Sequence, residues 1–291
     1  MKVAGVHFSL NPKNGKKDTT VSHFYDQFYA GNGPSDIHLQ FRLANLPCPA
    51  SFPSVEKKEM LFEVPGHWRL FRQKDGSLFF EAFNLKNGRC DLMALLDSGL
   101  LRGEAVLRPK RRGVWYPAEL MHPLGILLLT HHIARSAEGG VLCHGSAVDD
   151  NGRGLLFIAP SGTGKTTLSR FWQDIPGAVI LGDDRIIIRK EEGRYWLYAT
   201  PWVGELGYVN NHRVPLEKIC LLQQASKHQW VEEPKPALLQ KLFVNSFFPF
   251  WNSETVQQVL GFFGELILNV PVVSLQFAKS PDIVDFIRKE F

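Results

Sequence analysis

From about residue 36 to 116 the hydrophobic pattern is that of strands, with apolar side chains alternating with polar ones in short runs. Past residue 117 they fall at helical spacing and in short continuous runs. Ile37-His38-Leu39-Gln40-Phe41 alternates apolar and polar, as a strand with one buried face does. Residues 68–71 and 77–83 flank Lys74-Asp75-Gly76, and Asp-Gly between two such runs predicts a hairpin. Residues 1 to about 35 are rich in Gly, Asn, Lys and Ser and read as loops with room for one strand.

After Pro117 the spacing of Leu120, Leu124, Leu127, Leu128 and Ile133 predicts a helix over 118–136, closed by Gly139-Gly140. Pro123 falls near its first turn, where proline is tolerated. Apolar runs at 141–144, 154–158, 179–181 and 186–188 then alternate with helical segments, which predicts α/β layering within an α+β chain. Ser280-Pro281-Asp282 has the order of an N-cap, a proline at the first helical position and an acid in the first turn, and opens a last helix through Lys289. The expected organisation is a smaller β-rich domain over 1–116 and a second domain over 117–291.

Composition fits this picture. A chain of 291 residues suits two domains, and 44% hydrophobic with 21% charged residues is globular. The net charge of +4 is too mild to argue for nucleic acid. The basic stretch Arg108-Pro109-Lys110-Arg111-Arg112-Gly113 reads as a solvated turn between domains before it reads as a contact for an acidic partner. Cys48, Cys90, Cys143 and Cys220 stand far apart with no CxxC pair, which excludes a zinc ribbon or redox motif. The most apolar run, 124–129, stops at Thr130-His131-His132, short of a membrane span. The first residues, MKVAGVHFSLNPKNGKK, lack a signal-peptide core. The expectation is a soluble, reduced, cytoplasmic protein with no membrane partner.

The strongest motif is Leu155-Leu156-Phe157-Ile158-Ala159-Pro160-Ser161-Gly162-Thr163-Gly164-Lys165-Thr166-Thr167-Leu168. An apolar strand runs into a glycine-rich turn, then GKTT, then a helix, which is the setting of a phosphate-binding P-loop. Amides over 161–167 would converge on one anion. Lys165 would add a charge at the β- and γ-phosphates, and the Thr166 hydroxyl is placed to ligate Mg²⁺. The pattern GxxxxGK[ST] wants glycine at 159, where this chain has Ala. If that position needs a positive φ, Ala159 costs about 1 kcal/mol. A chance glycine-rich turn and a P-loop without activity are the competing readings.

Downstream, an apolar strand over 178–182 ends in Asp183-Asp184. Phosphoryl transfer needs a carboxylate for Mg²⁺ and a group to take the proton of an attacking hydroxyl. Adjacent strand residues face opposite ways, so the two acids are expected to differ in role. A solvated Asp-Asp turn is the plainer alternative. The short spacing after Lys165 argues against it, since it predicts this strand beside the P-loop strand. His144 is expected to end the preceding strand, and a lone histidine is commonly structural. The loop 200–207 holds one acid, Glu205. Phe247-Phe248-Pro249-Phe250-Trp251 is read as core, with partner docking as the alternative.

Assembled, 161–169 followed by Leu181-Gly182-Asp183-Asp184 resembles the nucleotide core shared by HPr kinase/phosphorylase and ATP-dependent phosphoenolpyruvate carboxykinase. The order His-Gly, P-loop, Asp-Asp is similar to HPr kinase in particular. Residues 117–291 also look like the uncharacterised bacterial HPr kinase-related proteins, through His144, 162–166, Asp183-Asp184, Thr200-Pro201-Trp202 and Pro215-Leu216. The resemblance implies Asp184 as general base, Asp183 assisting at the metal, His144 close to the phosphates and Glu205 at a glutamate-containing signature. It implies ATP and Mg²⁺ as cofactors. HPr kinases assemble into hexamers, so self-association stays open. Residues 1–116 match no family.

The leading functional expectation is a Mg²⁺- and ATP-dependent kinase acting on a hydroxyl, such as a serine of a protein or peptide, or on a small molecule. The alternative is a nucleotide-sensing module without turnover. A carboxykinase-like lyase ranks lower, because its substrate arginines and manganese ligands are not found. No NKxD or LSGGQ motif supports a GTPase or an ABC-type ATPase.

Overall fold

The computed structural model describes residues 1–13, 23–29, 33–44, 52, 59–108, 120–208 and 210–289. The basic stretch beyond Arg108, the expected boundary at 117, the start of the expected helix at 118 and Cys48 lie outside them. The chain divides into two compact units, Met1–His132 and Ile133–Phe291. The fold is mixed α+β, with two large sheets and few helices. Among the described residues no helix is long and apolar enough to cross a membrane.

The first unit carries one eight-stranded sheet: β1 (Lys2–Val3), β2 (Val6–Pro12), β3 (Ile37–Leu43), β4 (Glu59–Val64), β5 (Trp68–Arg72), β6 (Leu78–Phe83), β7 (Cys90–Leu96) and β8 (Arg102–Leu107). Their order is β1-β2-β3-β8-β7-β6-β5-β4. A short helix, α1 (His23–Asp26), follows β2. β3 buries Ile37, Leu39 and Phe41 and exposes His38 and Gln40, as its alternation requires. β5 and β6 form the hairpin that Asp75-Gly76 announces, with Asp75 accepting the Ser77 amide at 3.0 Å. Among the described residues the first 35 hold two strands, β1 and β2, where one was expected; Val6 and Phe8 bury one face of β2 within a polar composition.

The expected helix over 118–136 is shorter. α2 spans Ile126–Ala134, and His122 before Pro123 is extended (φ −132°, ψ 113°). The proline ring crowds the residue before it out of helical geometry, so regular helix starts only after Gly125.

The second unit contains β9 (Gly140–Asp150), β10 (Arg153–Ile158), β11 (Ala178–Gly182), β12 (Arg185–Glu191), β13 (Arg194–Tyr198), β14 (Arg213–Gln224), β15 (Gln229–Val231), β16 (Ser246–Phe247) and β17 (Val272–Phe277). Its helices are α3 (Lys165–Phe171), α4 (Lys235–Val244), α5 (Ser253–Asn269) and α6 (Ile283–Arg288). β9 and β10 are antiparallel and joined by the two-residue turn Asn151-Gly152, a strong hairpin signal. β11 and β12 follow one another along the other edge of β9. β10 also pairs in parallel with β14, and the pairings β9-β10-β14-β13-β12 return to β9. Among the described residues of this unit only β10–β14 and β14–β17 are parallel, so the sheet is largely antiparallel.

Two expectations change here. β11 lies beside β9, not beside β10, because the tight turn makes β9 the neighbour of β10 on one edge and β14 occupies the other. His144 is in the middle of β9 and not at its end, since β12 pairs with 140–144 while β10 pairs with 145–150. The last helix also differs. Asp282 takes the N-cap position without capping, because its carboxylate is turned to His228.

β10 is buried on both faces, which explains its unbroken apolar run. Leu156 and Ile158 join a core with α4 and α5 through Leu238, Leu242, Phe263 and Leu266. Leu155 and Phe157 join a second core with Leu168, Trp172, Leu275 and Ile287. At the end of β9 the Asp150 side chain is fully buried and is held by Arg288 Nε at 3.0 Å and Arg153 at 3.2 Å. Burial pushes its carboxyl up, but the Arg288 hydrogen bond and charge, with Arg153 and Asn151, outweigh that and leave it below the ordinary value.

Replacing Asp150 by Ala leaves Arg288 and Arg153 facing an apolar gap, and should cost about 3–5 kcal/mol of stability at neutral pH. The folded pKa is depressed, so the contribution is present above the unfolded value of 3.8 and is lost as pH falls through the folded value. Urea unfolding at pH 7 and pH 3 checks both parts. An equal gap between wild type and variant at the two pH values would contradict the ionised pair.

Candidate functional site

A glycine-rich turn needs backbone that side chains cannot easily follow. Here β10 ends at Ile158, residues 159–164 turn, and α3 starts at Lys165. Gly164 sits in the left-handed region at φ +108°, and a Cβ there would meet Lys279 Cε at 2.9 Å and Phe277 Cζ at 3.1 Å. Ala159 is not among the positive-φ residues, and its methyl is buried in the core with Leu168 and Trp172. The strain expected of alanine at this position therefore does not arise. Ser161 is exposed, and Thr163, Thr166 and Thr167 are half-buried around the turn.

Lys165 is buried, with its ammonium turned back on the loop. It donates to the Ala159 carbonyl at 2.7 Å, the Pro160 carbonyl at 3.1 Å and His144 Nε2 at 3.0 Å. An ammonium has three protons and accepts nothing, so all three are used and Nε2 is the acceptor. The imidazole proton must then sit on Nδ1, which faces the Asp184 carboxylate at 3.1 Å and the Asp184 carbonyl at 3.2 Å. The result is one hydrogen-bonded chain, Lys165–His144–Asp184. Burial pulls the Lys165 ammonium below the ordinary lysine value, and the Asp184 charge opposes this only in part. Burial raises the Asp184 carboxyl, but the His144 hydrogen bond and the Arg185, His144 and Lys165 charges win and hold it below the ordinary value.

The two acids diverge, as their adjacent positions require. Asp183 is buried, and its carboxylate accepts the amides of Gly204 at 3.1 Å and Leu206 at 2.8 Å. Thr200 Oγ1 donates to the Arg185 carbonyl at 2.8 Å. Together these stitch the loop 200–207 onto the Asp183-Asp184-Arg185 segment, with exposed Glu205 between the two tethered amides. Gly204 is required by the closeness of this approach, since a Cβ would lie 2.6 Å from the Asp183 carboxylate.

The structure thus brings His144, Lys165 and Asp184 into one chain and fastens the Glu205 loop through Asp183. Among the described residues no group of three or more His, Cys, Asp or Glu is gathered as for a metal ion. Sequence reasoning missed two neighbours. Arg185 forms an ion pair with Asp184 and lies 5.3 Å from the centre of the Phe247 ring. Phe247 also meets His144 edge-on, with ring centres 6.4 Å apart. A cation directly after Asp-Asp was the available signal for Arg185. The aromatic run divides: Phe248 is buried, Phe247 is half-buried against the site and Phe250 is exposed.

No family model matches this chain, and no curated protein matches it. A solved structure of the HPr(Ser) kinase/phosphatase from Coxiella burnetii is similar at 15% identity, covering 51% of this chain and 88% of that one, with a TM-score of 0.32. A likeness that shallow leaves the reading to the site's own geometry.

Gly204→Ala should force the Asp183 carboxylate off the Gly204 and Leu206 amides, leaving a buried acceptor unpaired at a cost of about 1–3 kcal/mol. Amide hydrogen exchange over 200–207 should accelerate before global unfolding does. Unchanged protection of the Leu206 amide in the variant would show that Asp183 does not hold this loop.

Proposed function

We propose that this chain is an ATP- and Mg²⁺-dependent kinase that passes the γ-phosphoryl group to a hydroxyl acceptor. The observation that carries the reading is the Lys165–His144–Asp184 chain at the mouth of the glycine-rich turn. It joins a phosphate-holding cation to a carboxylate able to take a proton, through a histidine whose tautomer is fixed by both. The sequence resemblance to HPr kinases supports the same roles.

In this reading the amides over 161–165 and the Lys165 ammonium hold the phosphates, with Lys165 exchanging a loop carbonyl for a phosphate oxygen. The acceptor oxygen attacks the γ-phosphorus, the bond to the leaving diphosphate breaks, and the acceptor's proton passes to Asp184. His144 orients Asp184 and keeps it ionised. The donor set fits Mg²⁺, which takes few protein oxygens and shares the phosphates: the Thr166 hydroxyl and a free lone pair of Asp183 would hold it, with the Glu205 carboxylate as a third candidate ligand. When bound, the ion would neutralise charge on the phosphate oxygens.

One observation favours a second reading, nucleotide binding without turnover. Asp184 is paired to Arg185 and its pKa is lowered, which makes it a weak base. Transfer then requires the acceptor or the nucleotide to draw Arg185 away.

The test follows γ-labelled ATP in fractionated host lysate. Wild type should label one acceptor. Asp184→Asn should bind Mg·ATP within about threefold of wild type and transfer at least about 100-fold more slowly, and Lys165→Met should lose binding. Transfer at wild-type rate by Asp184→Asn would remove its role. Binding without any transfer by wild type would establish the second reading.

A further inference from the structure

Lys279 lies on the loop between β17 and α6, far in sequence from the glycine-rich turn. Its side chain nevertheless runs against that turn: the position a Gly164 Cβ would take is 2.9 Å from Lys279 Cε and 3.7 Å from its Nζ. The placement is built from the other side by His228. Its Nδ1 accepts the Ala278 amide at 3.3 Å, and its Nε2 faces Ser280 Oγ at 3.3 Å and the Asp282 carboxylate at 3.3 Å. The imidazole is itself nearly buried and lies tilted against the Phe286 ring, with ring centres 5.4 Å apart. Residues 278, 280 and 282 are therefore pinned in one direction, and Lys279 is the residue between them that points to the turn.

The ammonium of Lys279 is exposed, and among the described residues it makes no ion pair or hydrogen bond. The one acid near it in sequence, Asp282, is engaged by His228. Lys165, by contrast, has all three donors occupied. The turn thus has one cation whose protons are committed and one whose protons are free. The lack of a Cβ at Gly164 is what lets the second cation come this close.

We infer that Lys279 is a second phosphate-binding cation of the glycine-rich turn, a residue that holds the phosphate chain of a nucleoside triphosphate from the β17 side. This inference rests on the nucleotide reading of the site given above. It places part of the binding surface on the segment after the last strand, where no phosphate-loop motif extends.

The test measures Mg·ATP binding by calorimetry on the full chain at several salt concentrations, for wild type, Lys165→Met, Lys279→Met and Lys279→Arg. Lys279→Met should weaken binding about tenfold or more and make it less dependent on salt, with thermal unfolding of the free protein unchanged. Lys279→Arg should keep most of the affinity. Wild-type affinity and salt dependence in Lys279→Met, with Lys165→Met impaired, would overturn the inference and leave the nucleotide site standing. Failure of the wild-type chain to bind Mg·ATP would overturn both.

Discussion

Strand β9 has to be hydrogen-bonded along both edges and packed on both faces at the same time, and the rest of the second unit follows from that. β10 and β16 take one edge and β11 and β12 the other. Its alternate residues then serve two cores: Val141, Cys143 and Ala147 turn to α4 and α5, and Val148 turns to α3 and α6. A strand so enclosed has little room for polar side chains. Of the polar side chains it carries, His144, Asp149 and Asp150 are tied to opposite charges or fixed donors, and only the small Ser146 hydroxyl is buried without a hydrogen-bond partner.

This enclosure accounts for the electrostatics of the candidate site. Lys165, Asp184 and Arg185 sit close together where water is scarce, and each charge compensates the desolvation of the next. His144 carries no needed charge of its own. Its work is geometric: it accepts from one neighbour and donates to the other, so the ring cannot flip without breaking both contacts. The same economy holds at Asp183, which organises a loop through backbone amides and leaves Glu205 at the surface.

Much of this was legible in the sequence because it is local. The alternation of 37–41, the Asp75-Gly76 hairpin and the strand-turn-helix over 155–168 are short-range patterns with short-range causes. Asp183 and Asp184 could be assigned different surroundings from adjacency alone. What was not legible depends on which strands become neighbours. A long strand with a histidine at its centre looks like two short ones when Gly145 interrupts the apolar run. The place of β11 depends on a distant turn earlier in the chain, at Asn151-Gly152. Arg185 and Phe247 reach the site through pairing with β9, from opposite edges, and no local pattern announces that.

The Asp150–Arg288 pair spans 138 residues of chain. A ribosome delivers β9 and the glycine-rich turn long before it delivers α6, so for that interval the carboxylate at the end of β9 has only Arg153 and Asn151 to face. The face of β9 beneath α3 stays open until Ile283, Val284 and Ile287 arrive to close the core around Trp172. The half of the unit that carries the glycine-rich turn is thus written first and closed last.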